Sequence, residues 1–376
     1  MDFEFTEDQL ELRESARSIL ASACPPSLVR AVFDGAGDGA DLWRTLVGLD
    51  WPALGLPEAH GGLGLGFLDV GILVEELGRA VAPTPFLATV TQLAAVVQEA
   101  GSSFRLADVA SGSCTGTLAI AEDGVWRPEV TQATATRTAD GWVLAGTKTH
   151  VLDGASADEL AVVVRLEGTR GAEGLGVVVV PRDAVAAEPL DVIDPTLAVA
   201  TVRLDGATAT GDRVLVEPGD PRAGAVIERA VQQATTALAL STVASCRWIF
   251  ETTLQYAKDR EQFGKPIGSF QALKHRLADC YLSVERAASL AYFAALTIAE
   301  DDDRRAVATS MAKAAAGECQ RLVASDGLQL HGGVGFTWEH DLHFSLKRAK
   351  SGDLLFGTAA THQSRLAHLL GLEAVA

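Results

Sequence analysis

The residues whose types and spacing best suit ligand binding or catalysis lie in one segment, Tyr256–Gln271. It reads Y-A-K-D-R-E-Q-F-G-K-P-I-G-S-F-Q. A turn rich in glycine and proline separates two long helical patterns there. Arg260 stands before the turn, Phe263 lies within it, and Gln271 opens the second helix. A cation, an aromatic ring and an amide at such a junction can bind an anionic ligand with a planar part. The alternative is an ordinary helix–turn–helix corner with surface charges.

A second motif, H-G-G-V-G at residues 331–335, follows Gln329. Its first two glycines, Gly332 and Gly333, carry no side chain, so the main chain there can approach a ligand closely. Taken alone, the same letters are also typical of a helix C-terminus followed by a turn.

Three other patterns favour a structural over a chemical interpretation. The glycines of residues 62–66 lie between helical patterns, without the preceding strand that a dinucleotide-binding loop needs. Glu75 and Glu76 are adjacent on a predicted helix, where neighbouring side chains do not face each other. His340 and His343 have a metal-like spacing but no obvious third ligand, so we interpret them as helix-face residues and predict no metal site.

The segment Tyr256–Gln271 resembles the R-x-x-F-G-x-x-I-x-x-F-Q signature of the acyl-CoA dehydrogenase flavoproteins. The string from Gln329 to Phe336 matches a second motif of that family. A third stretch, G-L-P-E-x-x-G-G-x-G followed by E-E-L-G-R between Gly55 and Arg79, matches its N-terminal helical domain. The resemblance implies FAD as cofactor, an acyl-CoA as substrate and an electron-transfer acceptor as partner.

The resemblance also implies roles for individual residues. Arg260 pairs with the FAD pyrophosphate, Phe263 packs beside the cofactor and Gln271 hydrogen-bonds it, across a subunit interface. The residues expected to contact FAD are Arg260, Gln262, Phe263, Gln271, Gln329, Gly332, Gly333 and Thr358.

The strings that grip the flavin ring in the family are altered here. The usual T-E-P-x-A-G-S-D loop corresponds to A-E-D-G-V-W-R-P at residues 121–128, and K-x-W-I-T-N corresponds to K-T-H-V-L-D at residues 148–153. His150 therefore occupies the place of a tryptophan, and Leu152 replaces a hydroxyl that would serve the flavin N5 edge. Leu152 cannot donate a hydrogen bond. His150 can still stack on a ring, or it is simply a polar residue at a strand end.

The catalytic carboxylate of the family is missing from both of its known positions. The Y-E-G-T string is L-F-G-T at residues 355–358, which puts Phe356 in place of the glutamate. A branch of the family carries the base 26 residues before the signature arginine, and that position is Ala234. Asp353 and Glu228 are weak substitutes, because a general base must reach the α-proton. The catalytic residue is therefore unassigned.

The elements that must position these residues follow a simple order. Helical periodicity in residues 1–114 gives way to short strand-like runs in residues 115–217, with a hairpin signal at Asp140-Gly141. Helical patterns return in residues 218–376, beginning with Ala225–Lys258, which has no proline or internal glycine. This order predicts an α+β fold with an N-terminal helical domain, a central antiparallel β domain and a C-terminal four-helix bundle, the layout of the resembling family.

Composition narrows the class of protein. The net charge of −18 over 376 residues argues against nucleic-acid binding, which needs a basic field. The five cysteines are scattered without a C-x-x-C pair, so we expect buried free thiols. No apolar run approaches the roughly 20 residues that cross a bilayer, and the acidic N-terminus does not resemble a signal peptide. We predict a cytoplasmic protein with no membrane partner.

One assembly accounts for both the retained and the missing parts. We predict a base-lacking subunit of an α₂β₂ acyl-CoA dehydrogenase whose homologous partner supplies the glutamate and the ring pocket. The L-F-G-T and W-E-H-D-L-H strings resemble the actinobacterial branch that acts on steroid side-chain CoA esters. The alternatives are a self-sufficient homotetramer with an unusual base, and a non-catalytic binding or assembly protein on the same fold.

Overall fold

The computed structural model describes residues 4–372, and its first third is helical. A capping box begins the first helix, since Thr6 and Gln9 exchange side-chain to main-chain hydrogen bonds. Glycines 62–66 form an irregular loop, as the sequence predicted. The helices are α1 (Glu7–Ala23), α2 (Pro26–Phe33), α3 (Ala40–Val47), α4 (Phe67–Arg79), α5 (Phe86–Ala88), a π-helical turn at Thr89–Leu93, α6 (Ala94–Glu99) and α7 (Leu106–Ala110).

The strands of the two larger sheets fall between Gly116 and Val216. They are β1 (Gly116–Ala119), β2 (Thr134–Arg137), β3 (Trp142–Ala145), β4 (Thr147–Val151), β5 (Glu159–Leu166), β6 (Leu175–Pro181), β7 (Ala186–Pro189), β8 (Ala200–Arg203), β9 (Thr208–Ala209) and β10 (Val214–Val216).

These strands build a seven-stranded sheet ordered β10-β6-β5-β2-β3-β9, with β1 also on β5, and a three-stranded sheet ordered β4-β8-β7. Most pairs are antiparallel, and β2 and β3 form the hairpin predicted at Asp140-Gly141. The purely antiparallel prediction needs one correction: β5 pairs in parallel with both β1 and β2. The inner strand β6 is buried on both faces, because Val177–Val180 are fully covered.

The last part of the chain is a bundle of long helices with one small hairpin. Alanine-rich sequences free of internal proline allow these helices to run unbroken. The elements are α8 (Ala223–Asp259), β11 (Glu261–Gln262), β12 (Lys265–Pro266), α9 (Gln271–Ala299), α10 (Arg305–His331), α11 (Leu342–Leu354) and α12 (Ala359–Leu369).

The described residues group into two compact units. One contains residues 4–37, 67–82 and 235–372, and the other contains residues 38–66 and 83–234. This partition differs from the three domains predicted at residues 1–114, 115–217 and 218–376, and the three-domain division stays a prediction. All five cysteines are buried and free, as expected.

One helix of the described chain, α9, is long and apolar enough to cross a membrane by length and composition. It contains charged side chains such as Glu285 and Arg286, so it is not the unbroken apolar run that the prediction concerned. The core helix of a bundle meets the same criterion, and α9 is joined to α10 by an ion pair between Arg276 and Asp326. The cytoplasmic location stays a prediction.

Candidate cofactor-binding site

The Arg260 segment folds as a tight hairpin between α8 and α9. β11 and β12 pair across a two-residue turn in which Phe263 and Gly264 have φ of +56° and +77°. Two left-handed residues are typical of the type I′ turn that joins short hairpins. The Ile267 amide closes the hairpin on the Arg260 carbonyl at 2.8 Å.

The side chains of this hairpin face open space. Phe263 is 91% exposed, and its ring lies perpendicular to that of Phe270 with ring centroids 6.1 Å apart. Arg260 and Gln262 are exposed, and within residues 4–372 Arg260 makes no salt bridge. Residues 258–276 carry five basic and two acidic side chains in a chain whose net charge is −18. This local excess of positive charge suits an anion.

The structure brings the second motif to the same end of the bundle. The ring of Tyr256, near the end of α8, stacks on His331 at the end of α10 with centroids 4.5 Å apart. An ion pair of 3.2 Å between Arg276 and Asp326 ties the start of α9 to the same part of α10. Gln271 and Gln329 are both exposed at this end.

Gly332 and Gly333 leave the main chain open there. Gly332 has φ +61° and ψ −142°, a conformation essentially confined to glycine. A Cβ atom built on Gly332 or Gly333 would meet no atom beyond the adjacent residues within 4 Å, so there is room for a ligand beside the main chain there. Burial lowers the pKa of His331, whose Nδ1 lies 2.8 Å from the Gly327 carbonyl.

Thr358 lies apart from the other seven predicted contacts. Its hydroxyl accepts the Thr361 amide at 3.3 Å and caps α12. The loop before it rests on Lys313, which precedes Gln329 by 16 residues along α10. At 1.5 Å per residue that separation is about 24 Å. Thr358 and the Arg260 hairpin therefore cannot surround the same pyrophosphate within one chain.

Neither position of the family's glutamate offers a carboxylate. Phe356 is buried with φ +56°, and Ala234 is buried in α8. The Asp353 carboxylate accepts hydrogen bonds from the Ala359 amide at 3.2 Å and from Lys350 Nζ at 3.0 Å. Glu228 accepts a bond from the Gln232 amide at 2.9 Å. Both acids are held by nearby groups in the chain.

The altered segment at residues 121–128 contains a tight hairpin turn. Glu122 and Val125 exchange two main-chain hydrogen bonds around Asp123 and Gly124, which have φ of +49° and +74°. These angles again describe a tight two-residue turn. The segment therefore uses its glycine to form a hairpin.

A buried ion pair, which the sequence did not reveal, joins the two altered strings. Lys148 is fully buried and donates to the Glu122 carboxylate at 2.5 Å. Glu122 also accepts the main-chain amides of Gln132 at 2.7 Å and Ala133 at 3.0 Å. Burial lowers the pKa of Lys148 to about 8, against the opposing attraction of Glu122. The only hint in the sequence was a lysine within an alternating strand.

His150 and Leu152 lie beside this pair in the chain. His150 has φ +52°, and its Nδ1 is buried without a hydrogen-bond partner in the described structure. Its ring is 5.8 Å from Trp126, an aromatic neighbour that the sequence pattern did not indicate. Leu152 is buried and offers no hydrogen bond.

The patterns interpreted as structural keep that interpretation, with one correction. The Glu75 carboxylate accepts a hydrogen bond from the Tyr292 hydroxyl and forms an ion pair with Arg13. Arg17 donates to both Glu76 oxygens, at 2.6 and 2.9 Å, so the two acids have separate partners.

His340 is not a helix-face residue. It precedes α11, and its Nδ1 accepts the Leu342 amide at 3.1 Å as a cap. His343, in the first turn of α11, stacks on Trp338. Among residues 4–372 no group of three or more potential metal ligands occurs.

The residues fit FAD unequally along its length. The exposed Arg260, the open glycine turn and the two exposed amides of Gln271 and Gln329 suit a nucleotide and its pyrophosphate. At the position that serves the flavin ring in the resembling family, this chain carries Leu152, which is buried and has no donor. The nucleotide end therefore fits, and the ring end is incomplete.

The described chain has helices, then strands, then helices, the order of elements expected of the resembling flavoprotein family, and comparison with known proteins makes the class specific. The family model described as acyl-CoA dehydrogenase, N-terminal domain, matches residues 6–107, and the C-terminal domain of the same family matches residues 224–370. Acyl-CoA dehydrogenase IpdE2 of Mycobacterium tuberculosis is 32% identical over 91% of this chain and 91% of its own length.

Solved structures agree. The ChsE4-ChsE5 complex from Mycobacterium tuberculosis contains a chain that is 27% identical, with a TM-score of 0.88 and full coverage of both chains. A structure of a variant of the Tcur3481-Tcur3483 steroid ACAD is 31% identical, with a TM-score of 0.86 over 98% of this chain and 99% of the other.

The chain belongs to the acyl-CoA dehydrogenase family. The predicted fold class, the enzyme class and FAD as cofactor are thereby confirmed. FAD supplies the redox chemistry of this family, while the protein positions the reactants and moves protons.

Proposed function

We propose that this chain is the base-lacking subunit of an α₂β₂ acyl-CoA dehydrogenase and completes the FAD site of a homologous partner. The partner supplies the glutamate that removes the α-proton, together with the donors to the flavin ring. Arg260, Gln271 and Gln329 of this chain hold the nucleotide end of that FAD.

The observation that carries the proposal is the apolar, buried character of both base positions. Phe356 is 5% exposed and Ala234 is 3% exposed. Neither side chain can accept a proton. Asp353 and Glu228, the nearest acids in sequence, already accept hydrogen bonds from neighbouring groups.

The exposed hairpin supports a contact in trans. A phenylalanine left 91% exposed, next to an arginine without a salt bridge in the described chain, suits a surface completed by another molecule. Lys313, which binds the loop before Thr358, lies about 24 Å from Gln329 along α10, and this separation also suits two different cofactor sites. Thr358 and the Arg260 hairpin would then contact two different FAD molecules.

The names of similar proteins point the same way. One similar structure is a complex of two differently named chains, ChsE4 and ChsE5, and another carries a paired name with the words steroid ACAD. We infer that the substrate is the CoA ester of a bulky steroid-derived acyl group, in a cytoplasmic hetero-oligomer that passes electrons to a separate acceptor.

Co-expression with a homologous chain that carries the family's glutamate tests the proposal. The assembled enzyme should reduce a dye with acyl-CoA, and glutamine in place of the partner's glutamate should abolish the reaction. Glu228→Gln and Asp353→Asn in this chain should leave most of the rate, which separates the proposal from a self-sufficient homotetramer. Loss of activity in the Glu228 or Asp353 variant, with assembly intact, would contradict it. A chain that gains neither flavin nor activity with any homologue would instead be a binding protein.

A further inference from the structure

Two buried basic residues of the bundle have no role in the site described so far. Lys313 lies in α10 and His362 in α12, and both are almost completely covered. Their polar atoms converge on one short stretch of main chain, the 355–358 loop (Leu355–Thr358). This loop joins α11 to α12 and contains both Phe356 and Thr358.

The two side chains bind the main chain at and just before this loop. Lys313 Nζ donates to the carbonyl of Asp353 at 2.9 Å and also to the carbonyl of Gly357. His362 Nε2 lies 2.9 Å from the carbonyl of Phe356 and is placed to donate to it. Three main-chain acceptors within five residues are thus held by side chains from two other helices.

The loop is also seated closely on α10. A Cβ atom built on Gly317, one turn after Lys313, would lie 2.3 Å from the Asp353 carboxylate and 2.9 Å from the Ala359 Cβ. Phe356 adopts φ +56°, a conformation that is costly for a bulky residue and persists only where its surroundings hold it. The hydrogen bonds to its own carbonyl and to that of Gly357 supply that hold.

We infer that Lys313 and His362 are positioning residues, which fix the 355–358 loop through its main-chain carbonyls and so hold Thr358 in place for the cofactor. The loop then keeps its shape whatever side chain occupies position 356. A family scaffold can therefore lose the carboxylate at this position and keep the loop. The role of Thr358 rests on the proposed function, whereas the hold on the loop does not.

Amide hydrogen exchange on the isolated chain tests the hold without FAD or a partner. The Ala359 amide, which donates to the Asp353 carboxylate at 3.2 Å, and the Leu355 amide, which donates to Ser351 O at 3.0 Å, report on the loop. Lys313→Met should speed their exchange at least tenfold, and His362→Phe should speed it less. Phe356→Leu, which changes only the side chain, should leave exchange within about threefold of the original.

Leu342→Ala serves as a matched control, because Leu342 is fully buried in α11 and its side chain makes none of these hydrogen bonds. If Lys313→Met speeds exchange no more at the loop than this control does, or if Phe356→Leu speeds it as much as Lys313→Met, the inference is wrong. His362→Phe decides the question if Lys313→Met does not fold.

In the assembled enzyme, Lys313→Met should release FAD about ten times faster than Leu342→Ala at equal thermal stability. Equal release would overturn the cofactor part of the inference, while the exchange result judges the hold on the loop separately.

Discussion

Single side chains decide what chemistry this protein can carry out. A carboxylate takes the α-proton in this family, and Phe356 and Ala234 provide none. Leu152 likewise removes a donor from the ring end of the cofactor site. We propose Arg260 for the nucleotide end, because its guanidinium is always charged and can bind a phosphate through two parallel hydrogen bonds.

Replacement of Arg260 should weaken the cofactor site without harming the fold, because its side chain is exposed. Loss of one charged hydrogen-bonding group costs about 1.5–3 kcal/mol, so Arg260→Ala should weaken FAD binding by the assembled enzyme about 10- to 100-fold. FAD content after gel filtration measures this. Arg170→Ala, at another exposed arginine, and Phe356→Ala should both retain FAD. If the Arg260 variant retains as much FAD as the original complex, Arg260 does not hold the FAD of the partner subunit.

The buried pair of Glu122 and Lys148 should be more important for stability than any surface ion pair. Lys148→Met leaves the Glu122 carboxylate buried with only two amide donors, and breaking a buried pair in this way costs about 3–5 kcal/mol. Adding Glu122→Gln removes the uncompensated charge, so the double variant should be more stable than Lys148→Met alone. Urea unfolding measures both. A double variant that loses the sum of the two single effects would show that the pair does not couple.

At the scale of elements, the sequence predicts a large part of the fold and only some of the site. The proline-free pattern at Ala225–Lys258 predicted α8 (Ala223–Asp259) to within two residues at each end, because local periodicity determines long helices. The parallel pairing of β5 with β1 and β2 was missed, since strand order depends on contacts distant in sequence. His340 was wrongly predicted on a helix face because the sequence did not show that α11 begins only at Leu342.

Buried charges were the hardest features to predict. Lys148 and Lys313 are ordinary lysines in the sequence, and only tertiary structure shows what surrounds them. Lys313 stands within the run A-K-A-A-A-G, where small neighbours on every side gave a faint signal of burial. The partners of Lys313 are the main-chain carbonyls of Asp353 and Gly357, which are distant in sequence, and no sequence pattern identifies them.

Burial of Lys313 predicts a specific dependence of stability on pH. Desolvation lowers its pKa from 10.5 to about 7, with Asp353 and Lys350 as charged neighbours and His362 beside it. The unfolded chain therefore binds more protons than the folded chain between pH 7 and pH 10.5. Stability from this group is complete above pH 10.5 and is lost as the pH falls to 7.

The free energy of unfolding of the original chain minus that of Lys313→Met should accordingly rise with pH. The slope should approach about 1.4 kcal/mol per pH unit between pH 7 and pH 10 and vanish below pH 6. Urea titrations at several pH values measure it, and subtraction cancels groups common to both proteins. A difference that does not change with pH would mean that Lys313 keeps its ordinary pKa.

At the scale of the whole molecule, the proposal separates two groups of positions. The nucleotide-binding residues that the chain retains would serve the partner's FAD, whereas the base and the flavin N5 donor that it lacks would serve its own. The exposed hairpin and glycine turn face outward, where a neighbour can use them. At the two positions of the family's base and at that of its flavin N5 donor, this chain carries the apolar Phe356, Ala234 and Leu152. A base-lacking subunit therefore explains the pattern better than random loss of function, which would not spare one end of the cofactor site.

The most direct test measures acyl-CoA-dependent dye reduction by the purified chain saturated with FAD, before and after addition of a homologous glutamate-bearing chain. We predict no reduction by this chain alone and activity once the complex forms. We also expect Arg260→Ala in this chain to lower the activity of the complex at limiting FAD. Reduction of the dye by the isolated chain at a rate comparable to that of the complex would contradict the proposed division of labour between the subunits.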